Sequence, residues 1–247
     1  MCAVVVTALA WAYLFRLDRQ MTLEMAAWCL RPLPGSPAPD AASTPNDMPL
    51  GASDVWLTFA MWSVMMVGMM APAATPVVLL FAATGKGRPG SRALFFALGY
   101  VAVWTGFSAV AALAQTGLHL AAMLSMAMTT LSARLGGVIL IAAGVYQLTP
   151  WKGACLTHCR SPLGFLMTNW RDGSLGAVQM GFRHGIYCLG CCWALMCVLF
   201  AVGIMNLAWV AGLTVVVLVE KMGPAGAWIA RAAGVAMIVL GARTLLR

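Results

Sequence analysis

Val55–Ala83 reads VWLTFAMWSVMMVGMMAPAATPVVLLFAA. The run carries no charge and is longer than the ~20 residues a helix needs to cross a bilayer. Only helices and closed barrels satisfy their backbone groups in lipid. The run does not alternate apolar with polar residues, as a barrel strand would. It therefore predicts an all-α protein, a polytopic transmembrane helical bundle. Pro72 and Pro76 lie inside the run and should kink it.

Composition points the same way. Of 247 residues, 62% are hydrophobic and 9% are charged, where a soluble domain carries about 25%. The net charge of +8 reads as Lys and Arg in cytoplasmic loops. No basic run is interleaved with aromatic residues, so nucleic acid is not expected as a partner.

Further apolar runs follow outward from this one. Residues 3–15 lack the basic leader of a signal peptide and read as a first membrane helix. Residues 31–53 are rich in Pro, Ser, Ala and Asp and read as a loop. The connection GKGRPGSR holds Lys86, Arg88 and Arg92 without an acid, which places it in the cytoplasm. Residues 93–115 and about 134–149 form two more spans, with 116–132 between them as a loop or interfacial helix. The connection 150–184 has Lys152, Arg160, Arg171 and Arg183 against Asp172 and also reads as cytoplasmic. Residues 185–205, 207–219 and 226–243 complete about seven spans (six to seven). The N-terminus is expected inside and the C-terminus outside, although Arg243 and Arg247 argue against the latter. Residues 1–54 thus form a membrane helix plus Pro-rich loop, and 55–247 a transmembrane domain.

Five of the eight cysteines lie between 155 and 192, a spacing unlike that of a secreted disulfide framework. Cys155 and Cys159 would share a helix face, with His158 beside them. Thiolate and imidazole suit copper(I) or zinc, and Lys152 and Arg160 would favour the thiolates. Cys188, Cys191 and Cys192 fall near one helix face, with His184 a turn before and Met196 a turn after. Met61, Met65 and Met69 share another face, flanked by Met66 and Met70. Thioethers are soft donors that select copper(I). Each cluster also has a plain packing alternative, because Cys and Met fill apolar interiors well. Glu220, Arg134 and Arg231 are charges within or beside spans, where charge is costly and often functional or paired. Glu220 is a further site candidate or an interfacial residue. Arg134 and Arg231 are expected to snorkel, and His119 to pack. No nucleophile triad, carboxylate pair, phosphate loop or dinucleotide fingerprint is present, so an enzyme is not the expected reading.

The chain resembles the family of predicted metal-binding integral membrane proteins of unknown function. The resemblance rests on Met65-Met66-Val67-Gly68-Met69-Met70-Ala71-Pro72, on Tyr146-Gln147-Leu148-Thr149-Pro150-Trp151-Lys152 running into Cys155 and Cys159-Arg160, and on Gly190-Cys191-Cys192-Trp193-Ala194-Leu195-Met196. Met205-Asn206-Leu207 with Trp209, ahead of Glu220-Lys221, completes it. Gly68 stands where the family's Met motif has Ala. The likeness covers about residues 55–243 and implies metal binding.

The expected function is binding, transport or delivery of a soft metal, copper(I) or zinc. The ligands would be Cys155, His158, Cys159, His184, Cys188, Cys191, Cys192, Met65, Met66, Met69 and Met70. The expected location is the inner membrane, with the cysteines near the cytoplasmic face. The expected partners are the bilayer, the metal ion and a membrane or periplasmic metalloprotein. Two alternatives stand beside this. The Cys188-x-x-Cys191 spacing also suits a membrane thiol–disulfide oxidoreductase. A structural or assembly subunit would use the cysteines for packing alone.

Overall fold

The computed structural model describes residues 2–29, 52–84, 89–121, 133–204 and 206–246. The loop expected at 31–53, the basic connection 86–92 and the segment 116–132 lie partly outside these residues, as does Met205. The described residues form α1 (Cys2–Cys29), α2 (Ala52–Thr84), α3 (Pro89–Leu120), α4 (Ala133–Gln147), α5 (Pro150–Arg160), α6 (Pro162–Asn169), α7 (Gly173–Val202), α8 (Leu207–Met222) and α9 (Gly226–Leu245).

Among them, four helical stretches are long and apolar enough to cross a membrane: Asp54–Thr84, Gly90–Leu120, Gly173–Val202 and Gly226–Leu245. The expectation of six to seven spans is therefore corrected. α1 has the length but carries Arg16, Asp18 and Arg19. α4 and α8 have only 15 and 16 residues, short of the ~20 that a bilayer requires, and α8 ends on Glu220-Lys221. A hydropathy reading counts apolar residues but does not see where capping stops a helix.

The segment expected as a polar connection, 150–184, is also corrected, because it is mostly helical. Thr149 caps α5, its side chain accepting from the Lys152 N–H, and Pro150 takes the first helical position, where its missing N–H costs nothing. Gly173 starts α7 at φ 80°, a conformation that side chains with a Cβ resist. α7 begins there and not at residue 185, so Cys188 lies near the middle of a 30-residue helix.

Pro72 and Pro76 sit inside α2, which stays helical through both. Pro72 has no N–H to offer the carbonyl four residues back, that of Gly68. The Trp11 indole of α1 donates to that oxygen at 3.3 Å. Gly68 also sets the approach of α1, since a Cβ there would press on the Ala10 Cβ at 3.3 Å. Trp11→Phe removes the donor and keeps the ring, and should cost about 1 kcal/mol of stability, measured by thermal or denaturant unfolding in detergent.

Two backbone crossings hold the rest. α3 and α7 meet where a Cβ on Gly99 would strike the Val178 carbonyl and one on Gly181 the Phe96 carbonyl. α4 and α9 run antiparallel, with Gly137 against Gly241 and Gly144 against Gly234. Small residues let helix backbones approach this closely. Gly181→Ala should lower stability by roughly 1–3 kcal/mol through overpacking, read as a lower melting temperature. The main core joins α2, α7 and α8 around Trp62, the buried methionines and the three α7 cysteines. Large apolar side chains such as Leu57, Leu79, Leu113, Leu175, Val215 and Trp228 face outward.

Candidate metal centre

α7 presents Cys188, Cys191 and Cys192 on the face that packs inside the bundle, all three buried. The Cys191 and Cys192 thiols donate to the Cys188 carbonyl at 3.0 and 2.8 Å. This back-bonding fixes both side chains towards the helix's own preceding turn. α5 then lies across α7 and brings Cys159, whose Sγ is 3.9 Å from the Cys191 Sγ. From the other side α2 places the Met70 Sδ 3.9 Å from the Cys192 Sγ. Four thiols and a thioether from three helices therefore share one interior, and Cys155, Cys159, Cys188, Cys191, Cys192 and Cys197 are all free.

Two polar groups attend the Cys188 sulfur. The Lys221 ammonium donates to it at 2.9 Å and reaches the Cys192 Sγ at 3.9 Å. The Tyr100 hydroxyl is 3.0 Å away. The expectation that Lys152 and Arg160 would serve the thiols is corrected. Lys152 is buried and paired with Glu220 at 2.6 Å. Gln147 bridges the two, accepting from Lys152 and donating to Glu220 at 2.9 Å. Arg160 donates to the Glu220 and Gly223 carbonyls at 3.1 and 2.8 Å, closing the C-terminal end of α8. Glu220 is thus a buried partner in an ion pair. Lys221 is the residue the sequence reading missed. Its signal was the Glu220-Lys221 pair ending an apolar helix, where an interior charge asks for a partner.

The remaining candidates divide. Cys155 is half-buried beside Gly190, where an added Cβ would stand 2.8 Å from its Sγ. Burial pushes the Cys155 thiol up, and the nearby Cys191 adds to this. Hydrogen bonds with Cys188 and Cys191, then burial, raise the Cys159 thiol well above its usual value. His158 is exposed; it stacks on Tyr187 at 4.3 Å and its Nδ1 meets the Ala154 carbonyl. His184 is buried between Phe96, Tyr100 and Phe165, and its Nδ1 has no hydrogen-bond partner among the described residues. Met65, Met66 and Met69 are buried in the same core as the thiols. His119 is half-buried, Arg134 is exposed, and Arg231 lies over the Trp228 ring.

Among the described residues no three His, Cys, Asp or Glu side chains are arranged as a ready metal-ligand set. The sulfurs come instead as two close pairs, 159 with 191 and 192 with 70. The described residues thus form an all-helical bundle with soft donors gathered inside it. The chain belongs to the PpoB2 copper chaperone family, whose model matches residues 59–244. That membership supports copper binding or delivery. No curated protein and no solved structure matches the chain.

Proposed function

We propose that the protein is an integral membrane copper(I) carrier that holds the ion between α5 and α7 and passes it to a partner metalloprotein. The observation that carries this reading is the 3.9 Å approach of Cys159 to Cys191 across two helices. Two sulfurs at that separation can both reach one ion through metal–thiolate bonds of about 2.3 Å. Zinc in structural sites takes four ligands, whereas copper(I) accepts two or three soft donors, so paired sulfurs favour copper. Cys188, Cys192 and Met70 supply a third donor. His184 offers an unpartnered nitrogen one turn from Cys188, and Cys155 and His158 stand at the outer edge of the site. Met65, Met66 and Met69 extend the soft surface with weaker, exchangeable donors.

The outward apolar side chains support a bilayer around the bundle. The inner membrane is the proposed location, with the short basic connections towards the cytoplasm.

The test is copper(I) competition against a chromophoric chelator with the full chain in detergent, beside zinc(II) under the same conditions. The expected result is tight uptake of copper(I), a sulfur-dominated first shell by X-ray absorption, and transfer to a copper-free acceptor protein. Uptake no greater than that of a variant with Cys159, Cys188, Cys191 and Cys192 all replaced by Ser, or a preference for zinc, overturns the proposal. A thiol–disulfide exchanger would instead cycle a Cys159–Cys191 disulfide without copper.

A further inference from the structure

Cys159 and Arg160 are neighbours in the last turn of α5, where consecutive side chains diverge by about 100°. Cys159 meets α7, and Arg160 meets the turn between α8 and α9. The Arg160 guanidinium donates to the Glu220 carbonyl at 3.1 Å, to the Gly223 carbonyl at 2.8 Å and to the Pro224 carbonyl at 3.4 Å. Carbonyls at a helix C-terminus lack partners within the helix and carry the negative end of its dipole, so they suit a cation. The turn is shaped around this group, since a Cβ on Gly226 would collide with the Arg160 Nη1. The same stretch carries Lys221, whose ammonium donates to the Cys188 Sγ at 2.9 Å. Residues 220–226 thus touch both halves of the thiol centre, α5 through Arg160 and α7 through Lys221.

We propose that Arg160 is a positioning residue: it fixes the last turn of α5 against residues 220–226 and so sets the gap between Cys159 and Cys191. The inference rests on the reading of the thiols as a copper(I) site. Those two sulfurs stand 3.9 Å apart. Metal–thiolate bonds of about 2.3 Å let one ion span at most about 4.6 Å between sulfurs. A drift of about 1 Å at the end of α5 therefore takes Cys159 out of reach of an ion on Cys191. Lys152 anchors the opposite end of α5, about 10 Å from Cys159 along the helix, and leaves the last turn to Arg160. The planar guanidinium fork holds two carbonyls in one fixed geometry, which a lysine ammonium on its flexible stem does not.

The experiment uses the full chain in detergent. Copper(I) affinity is read by competition with a chromophoric chelator, and the copper–sulfur shell by X-ray absorption. Arg160→Lys keeps the charge but not the fork. It should weaken copper(I) binding about tenfold and lose a sulfur from the metal's shell, with the bundle still folded by circular dichroism. In a Cys159→Ser background the same change should cost nothing further, because Arg160 acts through that sulfur. Wild-type affinity in Arg160→Lys overturns the proposal. So does an equal loss that persists without Cys159, or a variant that no longer folds, since either marks a role in general packing. Cys159→Ser alone separates the two readings. If it binds copper(I) as the wild type does, the thiol reading fails, and the positioning role is tested without metal. Oxidised glutathione then closes the Cys159–Cys191 disulfide by two exchange steps and leaves as two reduced glutathiones. Arg160→Lys should shift that equilibrium towards the free thiols, and an unchanged yield of the disulfide overturns the role.

Discussion

Replacing Cys159 and Cys191 together by Ser should weaken copper(I) binding by more than about a hundredfold. Changes to residues that merely support metal ligands already cost 10–100-fold, and these two sulfurs are the pair in contact. Ser is nearly isosteric, so the helices should pack as before and the melting temperature should move little. Each single variant leaves one sulfur of the pair and the neighbouring Cys188 or Cys192, and should lose less than the double variant. His158→Ala should leave affinity unchanged, because that ring faces Tyr187 and is exposed. Titration against a chelator, with unfolding measured on the same samples, checks all four. An equal loss on His158→Ala would move the site to the outer edge of α5.

Glu220→Ala should be the most damaging single change to the fold, costing about 3–5 kcal/mol. Lys152 and Glu220 are both buried, and removing one partner of a buried pair leaves the other charge uncompensated. Gln147 cannot make up the loss, because its carbonyl already accepts from Lys152. Lys152→Met/Glu220→Gln removes both charges and should recover most of the stability. Denaturant unfolding of the single and double variants gives the coupling directly. The thiols lie on another face of the same end of α8, so copper affinity should fall with Glu220→Ala and return in the double variant.

Much of this arrangement could be read before any coordinates. The helical class followed from runs such as Val55–Ala83, and the soft-donor clusters were visible as Cys155/Cys159, Cys188/Cys191/Cys192 and the Met stripe. The meeting of Cys159 with Cys191 was not, because it depends on α5 folding back across α7, a matter of packing and not of spacing. The span count failed for a related reason. α4 and α8 are apolar but stop early, at Pro150 and at Glu220-Lys221-Met222-Gly223. The charges were misassigned because sequence proximity put Lys152 beside Cys155, whereas helical geometry turns it towards Glu220. The role of Trp11 was hidden too, since it answers a carbonyl freed by a proline 61 positions away, Pro72.

The buried charges carry one last implication. Among the described residues Lys152, Glu220 and Lys221 are the buried charged side chains, and the first two neutralise each other. Lys221 is left with one positive charge in a medium where an isolated charge is expensive. A monovalent ion held by two thiolates carries one negative charge and cancels it. A divalent ion on the same two sulfurs is neutral and leaves the lysine unbalanced. On the proposed copper(I) reading, the lysine beside the sulfurs would balance the charge of a two-thiolate complex and so favour the lower oxidation state.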